Sequence, residues 1–379
     1  MKKTVVLAPD SFKESMSAQK ACAAMERGIR KVLLDAEVIQ VPMADGGEGT
    51  IDALVASTGG TRIEVEVSGP IPTEKITTYY GLLADKKTAV IEMAKANGLE
   101  CLKIEKRNPL LTSTYGTGEI IKAALDQGVE KIIIGLGGSA TNDGGAGMAQ
   151  ALGVHLLDAT GKELSVGGGA LKNLAKIDGS TIDPRIKTTE ILIASDVDNP
   201  LTGPNGASVI FGPQKGATPA MVKELDQNLA HYAAIIKRDL ANDIQMIPGA
   251  GAAGGLGAGL LAFTGATIRS GVELVIEYTQ LAEKIAKADY VFTGEGGMDF
   301  QTKFGKTPYG VAQVAKKYNK PVFACAGFIG NQVETLYAEG ITAIFGILAK
   351  ASSLEEALQD GEENLERTVE NIVRVLTIK

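Results

Sequence analysis

The opening stretch Val5-Val-Leu-Ala8-Pro-Asp10 decides the fold. Four apolar residues stopped by a proline and an acid read as a strand buried on both faces, the kind a parallel sheet requires. The loop 11–16 follows, and Ser17 can cap a helix in which Ala18, Ala21, Cys22, Met25, Ile29, Val32 and Leu33 recur at helical spacing. Val38–Val41 is the next strand, and Asp45-Gly-Gly-Glu48-Gly leads into a helix near 50–56. Strand, helix, strand, helix in that order implies a parallel sheet with crossover helices.

The chain's other end has the same pattern. Tyr290–Thr293 is a strand, and Thr307-Pro308 places a cap and a first-turn proline before a helix near Tyr309–Tyr318. Pro321–Ala326 and Ala343–Leu348 are further strands, and a final helix runs from about Leu354 to Leu376. Between the ends the pattern changes. Residues 61–83 read as a β ribbon, with alternation in Arg62–Val67 and turn residues at Ser68-Gly69-Pro70. Strands recur at Lys131–Gly135 and Ile191–Ser195, and helices at Gly118–Asp126, Pro219–Asp239 and Gly255–Phe263. The expected fold class is α/β. A discontinuous, Rossmann-like parallel-sheet domain comprises residues 1–67 and 287–379, a second α/β domain is inserted at 68–286, and an active site lies in the cleft between them.

Composition removes several mechanisms. Two histidines, His155 and His231, and three scattered cysteines without a C-x-x-C pair argue against zinc, a disulfide framework and a Ser-His-Asp engine. A net charge of −7 speaks against a nucleic-acid surface. The first residues are basic, but the apolar run behind them is too short for a signal peptide. No run of about 18 apolar residues occurs. A cytoplasmic protein is expected, with carboxylates and lysines doing any chemistry.

Glycine is the outlier, at 46 residues where average usage predicts about 27. Gly46–Gly49, Gly135–Gly147, Gly167–Gly169, Gly249–Gly259 and Gly294–Gly297 hold 21 of them. Gly137-Gly-Ser-Ala-Thr-Asn-Asp-Gly-Gly145 follows a strand and precedes a helix, where glycine-exposed amides can cradle a phosphate. Gly249-Ala-Gly-Ala-Ala-Gly254 matches G-x-G-x-x-G, but the segment before it makes a poor strand, and close helix packing explains it equally well. No Walker A sequence exists. Acids stand at three strand exits: Asp10, then Asp196 and Asp198, then Glu295 and Asp299. Carboxylates at the carboxyl ends of parallel strands can hold Mg²⁺ or take a proton from a hydroxyl, although single aspartates also cap helices and start turns. Lys13, Lys303, Lys306 and Arg269 are the cations available to neutralise a phosphate or an acidic substrate. The residues alone therefore support a phosphate-handling α/β enzyme with its reaction open.

Several blocks carry a resemblance. Ala8-Pro-Asp-Ser-Phe-Lys13 with Ser15-Met-Ser-Ala18 resembles the opening of the type 1 glycerate kinases. So do Val41-Pro-Met-Ala-Asp-Gly-Gly-Glu-Gly49, the block 137–145, Ser195-Asp-Val-Asp-Asn-Pro-Leu201 and Phe211-Gly-Pro-Gln-Lys-Gly216. Thr293-Gly-Glu-Gly296, Asp299-Phe-Gln-Thr302 and Gly305-Lys-Thr-Pro308 complete the series, in family order over nearly the whole chain. Glu14 stands where many members have glycine, and Gly297 where a basic residue is frequent.

The resemblance implies ATP-dependent, Mg²⁺-assisted phosphorylation of D-glycerate, with 2-phosphoglycerate favoured over 3-phosphoglycerate as product. Phosphoryl transfer asks a protein to position and neutralise more than to react. ATP is accordingly expected on Gly137, Gly138, Ser139, Thr141 and Asp143, and on Gly294, Glu295 and Gly296. Mg²⁺ is expected on Asp196, with Asp198 or Asp299. Lys13 would neutralise the transferred group, Asp45 or Asp196 would accept the hydroxyl proton, and Asp10, Ser11 and Arg269 would hold glycerate. An NAD-dependent oxidoreductase and a non-catalytic sugar-acid-binding protein remain as alternatives, and so does a homo-oligomer.

Overall fold

A computed structural model describes residues 2–378. Its strands, in chain order, are β1 (Thr4–Leu7), β2 (Glu37–Gln40), β3 (Thr61–Ser68), β4 (Lys75–Leu82), β5 (Thr88–Glu92), β6 (Lys131–Gly135), β7 (His155–Leu157), β8 (Lys176–Asp178), β9 (Glu190–Ala194), β10 (Thr267–Arg269), β11 (Tyr290–Met298), β12 (Val322–Ile329) and β13 (Ala343–Gly346). The chain divides into two compact units. One comprises the residues up to Asp45, Asp52–Thr58 and the chain from Ser270 onward, and the other Gly46–Ile51 and Gly59–Arg269.

The first unit is built on a five-stranded sheet in the order β13-β12-β11-β1-β2, parallel throughout. Strands from both chain ends thus share one sheet, as the terminal β-α-β patterns require. On one face Val5, Leu7, Phe292 and Phe323 join Ala21, Met25 and Ile29 of the helix Ala18–Arg30, with Leu365, Val369 and Val373 of the helix Gly361–Leu376. Ser17 caps the earlier helix by accepting the Lys20 N–H at 3.3 Å. On the opposite face Met298, Ala324 and Ala326 pack with Ala312 of the helix Thr307–Lys317. From β1 the chain moves outward to β2, and from β11 it moves the other way to β12 and β13. The order therefore reverses between β1 and β11, the kind of switch point at which open parallel sheets take their ligands.

The terminal helix is not the single rod expected. It breaks into Leu354–Gln359 and Gly361–Leu376. The Ser15 hydroxyl donates to the Leu358 carbonyl at 2.6 Å, and a β-carbon at Gly361 would collide with that same serine side chain.

The second unit carries a six-stranded sheet in the order β10-β9-β6-β5-β4-β3. Its first four strands are parallel, and β4 and β3 run antiparallel. Ile132, Ile133 and Ile134 of the inner strand β6 are all buried, the continuous apolar run that covering on both faces demands. The ribbon expected over 61–83 is the β3–β4 pair. Because β4 joins β5 through Gly81 and Leu82, Thr61–Ser68 belongs with this sheet, while Ser270–Ala286 belongs with the first unit. A second apolar cluster gathers Leu229, Tyr232 and Ile236 of the helix Pro219–Leu240 with Ala146, Leu201 and Ala258. Among the described residues, no helix is long and apolar enough to cross a membrane.

Candidate functional site

In the first unit three acids leave adjacent strands at their carboxyl ends. Asp10 follows β1, Asp45 follows β2, and Glu295 lies in the last half of β11. Asp10 is buried. Its Oδ1 accepts the Ser11 N–H at 2.6 Å and its Oδ2 the Thr307 hydroxyl at 2.5 Å. Burial, and then the charge of Asp45, pushes the Asp10 carboxyl up to about 7, against the two hydrogen bonds that favour its ionised form. Glu295 is also raised, by burial, while Lys306 opposes the shift from 3.3 Å and Thr302 donates to it at 3.0 Å. Three carboxylates stand at one switch point, and Asp10, raised toward neutrality, is suited to exchange a proton there.

Gly294, Glu295 and Gly296 were expected to cradle ATP. Instead this stretch is strand, with Gly294 and Glu295 in register with Cys325 and Ala326 of β12. Its glycines serve close approach: a β-carbon at Gly294 would stand 3.2 Å from the Phe12 ring, and one at Gly296 3.3 Å from the Lys13 nitrogen. Lys13 itself is exposed, in the turn closed by the Phe12–Met16 pairing, next to Ser11. Lys306 also donates to the Gly297 carbonyl at 3.2 Å, and Lys303 lies over the Phe304 ring.

In the second unit the carboxyl ends of β10, β9 and β6 present three chemistries side by side. Arg269 ends β10 in register with Ala194 of β9, and the Ser195 N–H donates to the Arg269 carbonyl at 3.1 Å. Asp196 and Asp198 follow on an exposed segment, and β6 runs into Gly137-Gly138-Ser139. Glycine is required here. A β-carbon at Gly137 would come 3.0 Å from Gly47, and Gly138 holds φ +76°. The amides of Gly137, Gly138 and Ser139 donate to no described residue, whereas Leu99 N–H binds the Gly138 carbonyl and Ala140 N–H the Asn97 carbonyl, pinning the loop from one side. Free amides on a pinned, glycine-shaped loop suit an anion.

The rest of that block turns inward, which corrects the expectation for Thr141 and Asp143. Both are fully buried. Asp143 Oδ2 accepts the Thr114 N–H, the Thr114 hydroxyl and the Gly147 N–H, and Oδ1 accepts the Gly145 N–H. Both oxygens are engaged by the loop's own donors, and burial shields the carboxylate from a ligand. Burial raises the carboxyl and these four donors hold it down. The Gly249–Gly259 cluster presses on the same loop. Gly144 N–H binds the Gly254 carbonyl at 3.0 Å, and β-carbons at Gly255 and Gly259 would come 2.9 Å from Gly144 and Gly145. With no strand before Gly249, the G-x-G-x-x-G is helix-to-loop packing, and the oxidoreductase alternative loses its premise.

Mg²⁺ takes oxygen ligands and keeps several waters. Among the described residues no group of three or more His, Cys, Asp or Glu is arranged to hold a metal unaided. Asp196 and Asp198, on the exposed segment after β9, are the oxygen donors that would hold such an ion, with phosphate oxygens and water completing its shell. Asp299 has Oδ1 engaged by the Gln301 N–H at 2.8 Å, as the cap of the turn Phe300–Lys303.

A family model described as the glycerate kinase family matches residues 5–377. The chain belongs to that family. It is 54% identical over 372 residues to a glycerate kinase of Halalkalibacterium halodurans, covering 98% of each chain. It is 51% identical to the glycerate 2-kinase of Escherichia coli, covering 99% of this chain and 98% of that one. A crystal structure of a protein from Salmonella typhimurium LT2, provisionally described as glycerate kinase 2, superposes with a TM-score of 0.89 at 49% identity, over 99% and 98% of the two chains.

Membership in the glycerate kinase family accounts for the motif order, and the structure explains one departure from it. Glu14 holds φ +64°, a left-handed backbone that glycine adopts without strain. Three residues had no binding or catalytic role assigned from the sequence. Thr307, taken for a helix cap, lies inside its helix and turns its hydroxyl to Asp10. Arg107 has a buried Nε with no partner. Lys215, inside a quoted family block, is fully buried under the glycine loop, and burial lowers its ammonium to about 7. Thr307 and Lys215 both lie in quoted family blocks, and a lone lysine between glycines is unlike a solvated surface.

Proposed function

We propose that this chain transfers the γ-phosphoryl group of ATP to D-glycerate and releases 2-phosphoglycerate. The observation that carries the reading is the row at the carboxyl edge of the second sheet: free amides at Gly137–Ser139, the carboxylates of Asp196 and Asp198, and the guanidinium of Arg269 on three neighbouring strands. Amides take phosphate oxygens, carboxylates share a cation with them, and the planar fork of arginine matches the carboxylate of glycerate. Asp196 and Asp198 would hold Mg²⁺, which would supply charge neutralisation at the phosphate oxygens. Lys13 supplies a further cation for the transferred group. Asp10 and Ser11 bind glycerate, and the hydroxyl proton goes to Asp45 or Asp196, with the raised Asp10 carboxyl able to share it.

The 2-phosphate is favoured by the 51% identity to a protein named glycerate 2-kinase. A cytoplasmic location accords with the three free thiols and with ATP as donor. The test is ³¹P NMR of the product formed from D-glycerate, ATP and Mg²⁺. A phosphomonoester coupled to the C2 proton supports the proposal, coupling to the C3 methylene pair replaces it with the 3-kinase, and no ADP release leaves the sugar-acid-binding alternative.

A further inference from the structure

The least explained group in the second unit is Lys215. It closes the short turn Pro213–Lys215, between Gly212 and a left-handed Gly216 at φ +90°, and is 1% exposed. Its Nζ donates to Ser139 Oγ at 2.7 Å and to the Thr141 carbonyl at 2.6 Å. The helix Ala207–Phe211 just before it adds a third grip on the loop, since Asn142 Nδ2 donates to Ser208 Oγ at 2.9 Å. Residues 208–215 therefore hold the loop from beneath at 139, 141 and 142.

Burying an ammonium costs several kcal/mol, and a neutral donor could tie down a carbonyl at lower cost. Among the described residues no carboxylate hydrogen-bonds to this ammonium. Asp143, the acid that acts on it through space, has both oxygens spent on Thr114, Gly145 and Gly147. The charge is therefore not consumed in an ion pair. Thr141 Oγ1 and Asn142 Oδ1, in the same loop, are buried without partners, which is unusual in a part of a protein that serves packing alone.

The hydroxyl of Ser139 carries the consequence. In its charged form, which an anion on the loop favours, Lys215 has donors and no acceptor, so Ser139 Oγ accepts from it. The serine's own proton is then directed elsewhere, and no described residue accepts it. It joins the free amides of Gly137, Gly138 and Ser139, polarised by the cation behind it. We infer that Lys215 is a positioning residue that fixes the Ser139 hydroxyl as a hydrogen-bond donor to the phosphate chain of the nucleotide and places positive charge behind the Gly137–Ser139 amides. The inference rests on the proposal that this loop binds the nucleotide's phosphates. An anion on the loop favours the charged lysine in turn.

The test measures ADP binding by titration calorimetry on the full chain, with melting temperatures as a check on folding. Ser139→Ala, Lys215→Met and their double variant are each expected to lose about 10- to 100-fold in affinity, the worth of one charge-assisted hydrogen bond. The double variant should lose no more than the worse single one, because the two residues act as one device. In turnover, Lys215→Met should raise the KM for ATP and leave that for glycerate unchanged, a split that general loosening would not produce. If Lys215→Met does not fold, Ser139→Ala alone decides: wild-type ADP affinity in that variant overturns the inference. Additive losses also overturn it. Gly138→Asp separates the two levels, because aspartate tolerates the left-handed backbone there and brings a negative charge to the loop. Loss of ADP binding in Gly138→Asp with normal binding in Ser139→Ala and Lys215→Met sinks the Lys215 inference alone. Normal binding in all of them sinks the phosphate loop itself.

Discussion

Replacing Asp10 by asparagine should stabilise the protein at alkaline pH while removing its turnover. In the folded chain the Asp10 carboxyl is raised from 3.8 to about 7, by burial and then by Asp45. In the unfolded chain it ionises near its ordinary value. Below about pH 4 both states hold the proton and the group contributes nothing. Between about 4 and 7 the unfolded state alone releases it, so stability falls as pH rises, and above 7 the full penalty stands. At about 1.4 kcal/mol for each tenfold change, that penalty is about 4 kcal/mol, of which about 3 kcal/mol develops between pH 5 and pH 8.5. Asparagine keeps the shape and the two contacts, since its carbonyl accepts the Ser11 N–H and its amide donates to the Thr307 hydroxyl oxygen. Allowing about 1 kcal/mol for poorer hydrogen bonds, the variant should exceed wild type by about 3 kcal/mol at pH 8.5. Urea unfolding followed by circular dichroism at both pH values measures this, because the wild type should lose about 3 kcal/mol more than the variant between them. Equal losses would refute the reasoning, and so would a variant less stable than wild type at pH 8.5. Turnover assayed in parallel should fall at least about 100-fold if Asp10 holds glycerate or shares its proton.

Four further substitutions probe the remaining groups. Gly254→Ala puts a β-carbon onto the Thr141 carbonyl oxygen and 2.7 Å from Asn142 Cα at φ +67°, so it should cost more than about 2 kcal/mol and lower ADP affinity; an unchanged melting curve would contradict the packing. Glu14→Gly relieves a left-handed glutamate and should gain about 1 kcal/mol in urea unfolding, with no gain arguing that the turn is unstrained. Asp196→Asn should cut kcat by about 100-fold or more at a constant melting temperature, and near-normal turnover would remove it from the metal and proton roles. Lys13→Ala should lower kcat in the same way, whereas a change confined to KM would make it a binding residue.

Local pattern and long-range contact divided the work unevenly. The run Val5–Ala8 and the stripe from Ala18 to Leu33 are self-contained signals, because a buried parallel strand and an amphipathic helix each declare themselves within about ten residues. The strand Lys131–Gly135 was legible for the same reason, down to its ends. The break at Asp360 was not, since it depends on Ser15, which lies far away in sequence. The strand at Tyr290–Thr293 has no local reason to continue through glycines and acids, yet pairing with β12 extends it to Met298. Thr307 looked like a cap because Thr-Pro is a common helix start, and Asp10, 297 positions away, claims its hydroxyl instead.

The sequence by itself determined the α/β class, the sharing of one sheet by both chain ends, the family blocks and the clustering of glycine near acids. All of these depend on spacing along the chain. Only the tertiary structure decided which of those groups face a ligand and which support the ones that do. Gly137, Gly138 and Ser139 keep free donors, while Thr141 and Asp143 of the same block are sealed inside, and Lys215 is drawn beneath them from 76 positions away. Burial, the protonation of Asp10 and the direction of the Ser139 hydroxyl are set by the neighbours folding delivers, and those neighbours are distant in sequence.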